Sequence, residues 1–355
     1  MPFVQCASLI NTAKKMTNDF SWALIGPGRI AHRFAEAVEG LPNTRLICVL
    51  GRDAERTQAF ATCWSSLANG TVRATANWDD VLDDPSVDGV YIATPHAMHQ
   101  AAVQRCLAAG KPVLCEKPLV PNMAQAQKLV ALAQSQNVFL MEALWTRFLP
   151  AYAQMAEWLR SGVIGRVRAI QSSFCFAAVD DMSSRLYAPE LAGGALLDIG
   201  IYNLSVTRWV LQTALGTCPE LQNLQVHGVL APTGVDRRLA TTLAFEGDVV
   251  SQFVCGFDGQ SDNALHIVGE HGWISAPHDF WQATEVVLQS RRELPLRVQT
   301  PFAINGFEGE IVEAMRCIRA GLVESPQMPH AETLATLGWM DTMRARMGVR
   351  YPFEG

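Results

Sequence analysis

The sequence predicts an α/β chain in two parts, a doubly wound parallel sheet in the first half and an α+β domain on a largely antiparallel sheet in the second. Three observations lead there. From residue 20 to about 143, short β-like runs alternate with amphipathic helical stretches, the rhythm of a parallel sheet covered on both faces. After about residue 144 the segments lengthen and alternate residue by residue between turn signals. The length, 355 residues at roughly 100–200 per domain, suits about two domains.

Residues 1–19 read as a loose tail, with Met16 an alternative start; the two lysines follow the apolar stretch instead of preceding it, so an export signal is not expected. Phe20–Ile25 reads as the first strand. Ile30, Phe34, Val38 and Leu41 then recur at helical spacing, and Leu46–Leu50 completes a βαβ unit. Val90–Ala93, a helix over 97–109 stopped by Gly110, strand Val113–Cys115, a helix entered at Asn122 and strand Val138–Met141 repeat the theme. This first domain spans 20–143, and a substrate-binding and oligomerisation domain takes 144–355. In the latter, Val167–Phe176 reads as a strand, Leu239–Phe245 and Val249–Phe257 flank the turn at 246–248, and a second hairpin turns at 270–272. Helices are expected near 197–212, 306–320 and 331–346.

Hydrophobic residues make up 49% and charged ones 17%, enough apolar surface for real cores, and the net charge of −6 argues against a nucleic-acid partner. No stretch approaches the ~18 apolar residues that span a bilayer, so no membrane partner is expected. The nine cysteines are odd in number and never form C-x-x-C, so neither a disulfide framework nor a cysteine metal site is expected, and a cytoplasmic location fits.

The first strand runs into Gly26-Pro27-Gly28-Arg29-Ile30-Ala31, a G-x-G-x-x-A turn between strand and helix. Gly26 permits the tight turn, Gly28 lets backbone amides approach a pyrophosphate, and Ala31 lets helix and strand pack. A dinucleotide-binding Rossmann domain follows. At the end of the second strand an acid selects NAD and an arginine accommodates the 2′-phosphate of NADP. Arg52 stands there, about 20 residues beyond the turn, which favours NADP; Asp53, one residue on, leaves NAD open.

Lys117 follows strand 113–115 at the carboxyl end of a parallel strand, where such sheets place their ligands. Two glycines, Gly193 and Gly194, open a helix on which Asp198 and Tyr202 are four apart and share a face. Through GPGRIA at 26–31, EKP at 116–118 and DIGIY at 198–202, the chain resembles the glucose–fructose oxidoreductase/inositol dehydrogenase/rhizopine catabolism (Gfo/Idh/MocA) family. Within it, EALWTRFLP (142–150) and SRLYAPELAGGALLDIGIY (184–202) are most similar to the dimeric dihydrodiol dehydrogenase and NADP-dependent D-xylose dehydrogenase branch. The resemblance implies an NADP-linked oxidoreductase of a sugar, cyclic polyol or vicinal diol, a catalytic lysine at Lys117, and Tyr202 where many relatives have histidine. It also implies a homodimer or homotetramer joined through the C-terminal sheet.

Alcohol oxidation by hydride transfer requires removal of the hydroxyl proton, and a phenol is a poor base unless a cation favours phenolate. Tyr202 is therefore expected to exchange the proton, with Lys117 lowering its pKa and Asp198 orienting the lysine or a substrate hydroxyl; Lys117 as base is the alternative. Thr94, Pro95, His99, Glu116 and Lys117 join Gly26, Gly28, Arg29, Ile30, Ala31 and Arg52 as the expected cofactor-binding set. His96 and His99 are expected to border the nicotinamide, His99 at the helix start, and no metal is expected. His96, Trp145, Arg147 and Arg185 are candidates for the substrate pocket. Competing readings are a reductase of a keto-sugar or anhydro-sugar and a dinucleotide-sensing regulator without turnover.

Overall fold

β1 (Phe20–Ile25) is buried at every position, as a strand covered on both faces must be, and it lies inside a six-stranded parallel sheet. The computed structural model describes residues 19–65, 70–291 and 293–354, so the expected tail lies outside the described residues apart from Asp19. The chain continues through α1 (Arg29–Gly40), β2 (Thr44–Leu50), α2 (Ala54–Ser65), β3 (Arg73–Thr75), one helical turn α3 (Asp79–Leu82), β4 (Gly89–Ile92), α4 (His96–Ala108), β5 (Val113–Glu116), α5 (Met123–Gln136) and β6 (Leu140–Ala143). Strand order is β3-β2-β1-β4-β5-β6. Winding reverses between β1 and β4, so a crevice opens there beyond the carboxyl ends of the strands.

Local chemistry sets these elements. α1 buries Ala31, Phe34, Ala35 and Val38, and Phe34 stacks on Tyr91 of β4 with ring centroids 3.8 Å apart. Asn122 caps α5 by accepting from the Gln125 amide, and Asn137 ends it in the left-handed region. The amide of Val138 still bonds to Ala133, so Val138 closes the helix and β6 begins at Leu140, two residues later than the apolar run suggests.

Beyond a 3₁₀ turn at Trp145–Phe148 come α6 (Pro150–Ser161), β7 (Val167–Cys175), a π-helical turn at Leu196–Gly200 and α7 (Ile201–Leu215). Then follow β8 (Leu221–Leu230), β9 (Asp236–Phe245), β10 (Val249–Gly256), β11 (Leu265–Gly269), β12 (Gly272–Ala276), β13 (Glu285–Ser290), β14 (Leu296–Gln299), α8 (Glu308–Arg319) and α9 (His330–Met347). The eight strands order as β14-β13-β12-β11-β7-β10-β9-β8, antiparallel except where β7 runs parallel to β10. The predicted fold class, a parallel Rossmann sheet followed by a mostly antiparallel one, is what the chain adopts. No described helix is long and apolar enough to cross a membrane.

Candidate active site

The glycine-rich turn builds a cradle that the chain leaves open. Gly26 has φ of 94°, and Gly28 precedes α1 without offering a side-chain cap, so the first amides of α1 remain for a ligand. A Cβ placed on Gly28 would find no heavy atom nearer than 3.8 Å, so a side chain there would fill the space a phosphate needs. Across the turn, at the end of β4, the buried Thr94 hydroxyl has no partner. These features fit a dinucleotide pyrophosphate. Ile30 is half-buried, Ala31 packs with no exposed surface, and Pro95 leads into α4.

Beside the turn lies a cavity of about 420 Å³ lined by Pro27, Gly28, Arg29, His32, Arg56 and Phe60 among others. Arg56 was not anticipated. It sits on α2, four residues after the exposed Arg52, and its Nε donates to the Pro27 carbonyl at 2.9 Å. The Asp53 carboxylate accepts from the Arg56 amide at 2.9 Å, which makes it the N-cap of α2.

The second cluster forms where β5 ends. Lys117 Nζ donates to the Asp198 backbone carbonyl at 2.6 Å and approaches its Oδ1 at 3.3 Å. Arg185 Nη1 meets the same Oδ1 at 3.2 Å, and His96 Nε2 stands 3.9 Å from it. The ammonium of Lys117 is 5.1 Å from the Tyr202 ring centroid, and Trp145 Nε1 donates to the Tyr202 hydroxyl at 3.1 Å. Asp198 lies in the π-helical turn and not in a regular α-helix, and Lys117 captures its carbonyl there. Residues from both halves of the chain thus meet at one place.

Burial alone would push the Asp198 carboxyl up, but the charges of Lys117 and Arg185 outweigh it and hold the group well below the usual carboxylate range. Burial lowers His96 to about 3, so its imidazole is neutral. Burial, reinforced by the Glu116 carboxylate, drives Tyr202 well above the usual phenol value, against the opposing hydrogen bond from Trp145. The expectation that Lys117 lowers this phenol is corrected: the ammonium faces the ring, not the hydroxyl, and the phenol stays protonated.

Four other expectations are also corrected. His96, not His99, begins α4; His99 is fully buried, with its ring nitrogens 2.9 Å from the Pro118 carbonyl and 2.8 Å from the Thr94 carbonyl, so its single N–H is spent on one of these backbone carbonyls between two strand ends. Glu116 is buried, one oxygen accepting from the Tyr91 hydroxyl and the other from the Lys117 amide at 3.2 Å, so it shapes the turn beneath Lys117. Arg147 is unavailable to a substrate, because its guanidinium is buried against Glu332 at 3.0 Å and Ser205 at 3.1 Å. Trp145 is no open stacking platform: Arg33 covers its ring and Phe307 packs beside it with centroids 5.1 Å apart.

A fold and site of this kind define a nicotinamide-dependent oxidoreductase. Residues 20–144 match the model of the oxidoreductase family with an NAD-binding Rossmann fold, and residues 152–275 match the GFO/IDH/MocA C-terminal domain. The chain belongs to the Gfo/Idh/MocA family and is an NAD(P)-binding oxidoreductase. It is 34% identical to trans-1,2-dihydrobenzene-1,2-diol dehydrogenase of Homo sapiens over 93% of this chain and 98% of that one. The Danio rerio enzyme of the same name is 33% identical over 93% and 97%. Among solved structures, a 3-ketoreductase from Actinomadura kijaniata in complex with NADP and TDP-benzene aligns with a TM-score of 0.78 at 26% identity, covering 92% of this chain and 98% of that one. An aldose-aldose oxidoreductase from Caulobacter crescentus shares the fold, with a TM-score of 0.81 at 22% identity over 93% and 98%.

Proposed function

We infer that the protein is an NADP-dependent dehydrogenase or reductase acting on a vicinal diol, cyclic polyol or sugar, with Tyr202 and Lys117 handling the proton. The observation that carries this reading is the convergence of Lys117, Asp198 and Tyr202 beside the nucleotide cradle, with Arg185 at their exposed side. The nicotinamide, when bound, supplies or accepts the hydride. Asp198, held ionised, fixes the ammonium of Lys117 so that its remaining donors face a substrate oxygen. Tyr202, held neutral, donates its hydroxyl hydrogen to the oxygen that gains charge during reduction. Oxidation runs the other way and needs phenolate, so its rate is expected to climb with pH above neutrality. Relatives named as dihydrodiol dehydrogenases support the diol class.

NADP is preferred because Asp53, the first acid beyond the tip of β2, caps α2, while Arg56 lines the cavity and the exposed Arg52 lies four residues before it in sequence. We also assign the open face of the eight-stranded sheet to a homo-oligomer contact. A cytoplasmic setting accords with the reduced thiols of Cys48, Cys106, Cys115 and Cys255.

The test is turnover of Tyr202→Phe and Lys117→Met on a panel of diols, sugars and their carbonyl forms, with NADPH binding followed by fluorescence. Each variant is expected to lose about 10²–10⁴-fold in kcat, and Tyr202→Phe to keep its nucleotide affinity. Parent-like rates in both would sink the mechanism. A parent that binds nucleotide but turns over nothing would favour the sensor reading.

A further inference from the structure

Arg33 has no part in the chemistry above, yet it joins the two halves of the molecule. α1 leaves the glycine-rich turn at Arg29, and about one turn later the Arg33 guanidinium crosses to lie 4.8 Å from the Trp145 ring centroid and 5.1 Å from that of Phe307. Its Nη2 donates to the Asn305 carbonyl at 2.5 Å, and Asn305 Nδ2 donates back to the Arg33 carbonyl at 2.9 Å. The segment carrying Asn305 is itself pinned, because the Glu308 carboxylate accepts from the amides of residues 303 to 306. Gly306 lies flush on the indole, where a Cβ would come within 2.6 Å of Trp145 Cζ3. Trp145 is held by these neighbours, and its Nε1 hydrogen goes to the Tyr202 hydroxyl. An indole N–H can only donate, so the phenol oxygen accepts and its own hydrogen remains for a substrate.

We propose that Arg33 is a positioning residue that, through Trp145, holds the Tyr202 hydroxyl in register with the nucleotide-bearing helix α1. This rests on Tyr202 being the proton donor. A cation stacked on two rings resists rotation of the indole, and with the indole fixed the phenol hydrogen has one direction left. Once the clamp is released the indole can turn, and a displaced proton donor loses rate even when nucleotide affinity is unchanged.

Arg33→Met keeps the stem and removes the cation with its donors; Arg33→Lys restores the cation without the planar fork that spans two rings and the Asn305 carbonyl. Without nucleotide or substrate, the indole ¹H–¹⁵N signal of Trp145, assigned by its loss in Trp145→Phe, is expected to shift and broaden in Arg33→Met and to recover in part in Arg33→Lys. At saturating NADPH, Arg33→Met is expected to lower kcat about tenfold, with the KM for NADPH held within about twofold, and to add nothing in the Trp145→Phe background. An unmoved indole signal, or the same fold-loss in both backgrounds, overturns the proposal. Should Arg33→Met not fold, Arg33→Gln, which also removes the cation, carries both comparisons. A parent protein that reduces or oxidises nothing defeats the functional reading instead, and the indole signal still decides the role of Arg33.

Discussion

At the tip of β2 the choice of cofactor comes down to one carboxylate. Asp53 could serve a ribose hydroxyl, but one of its two oxygens already accepts from the Arg56 amide at the start of α2. That cap places Arg56 over the Pro27 carbonyl, beside the cavity, so one acid organises a basic rim instead of reading the sugar. A charge-assisted hydrogen bond contributes about 1.5–3 kcal/mol, so Arg52→Ala and Arg56→Ala are each expected to weaken NADPH about tenfold or more while changing NADH far less. Fluorescence titration with both nucleotides checks this; equal losses for the two would remove the case for NADP. Asp53→Ala should cost about 1 kcal/mol of stability through the lost cap and leave the preference in place.

At the scale of elements, the helix that carries Asp198 and Tyr202 is capped from outside itself. Asp236, fully buried at the start of β9, accepts from the Leu196 amide at 2.6 Å. Burial raises its carboxyl to about 7, opposed by the amides of Leu196 and Ala195 and by Arg344; Tyr351 and Cys255 also face it. Because the folded value lies above the unfolded one, the native state holds this proton more tightly. Stability from this group is therefore complete below about pH 4 and lost as pH rises toward 7, an effect on the order of 4 kcal/mol. Urea unfolding of the parent and Asp236→Asn between pH 4.5 and 8 should show that slope in the parent and a flatter one in the variant. Identical slopes would remove the assignment. No local pattern marks Asp236, because its partner lies 40 residues away in sequence. β1, β2, β4, β5, β7, β9, β10 and α1 were legible from apolar spacing, whereas β3, β8, β13 and β14 were not read from the sequence. α2 was not, because two of its four buried positions, Thr57, Phe60, Ala61 and Trp64, are Thr and Ala, which blur the apolar stripe. Lys117, Asp198 and Tyr202 were legible as motif residues. The burial of Arg147 was not, since Glu332 reaches it from α9.

For the whole molecule, the eight-stranded sheet has one face packed by helices and one that is left uncovered among the described residues. On the uncovered face the outward positions near the middle of β9 and β10, Ala240, Thr242, Gln252 and Val254, are uncharged, and Val254 and Val268 each remain 38% exposed. A shallow groove of about 680 Å³ crosses it, lined by Gln171, Gln225, His227, Thr242, Gln252 and Val254 among others. A flat sheet face of this composition suits a second copy of itself, since a two-fold pairing sets each row of uncharged side chains against its own repeat. A stable interface needs roughly 800 Å² from each partner, which a face of this many strands can supply. Placing a charge at its centre, in Val254→Asp, would bury two like charges across the two-fold axis without compensating partners. Sedimentation is expected to find the parent as a dimer or larger and the variant as a monomer, with nucleotide binding retained because the glycine-rich cradle lies in the other sheet. A parent that sediments as a monomer at micromolar concentration, or a variant that stays associated, would put the contact on another surface.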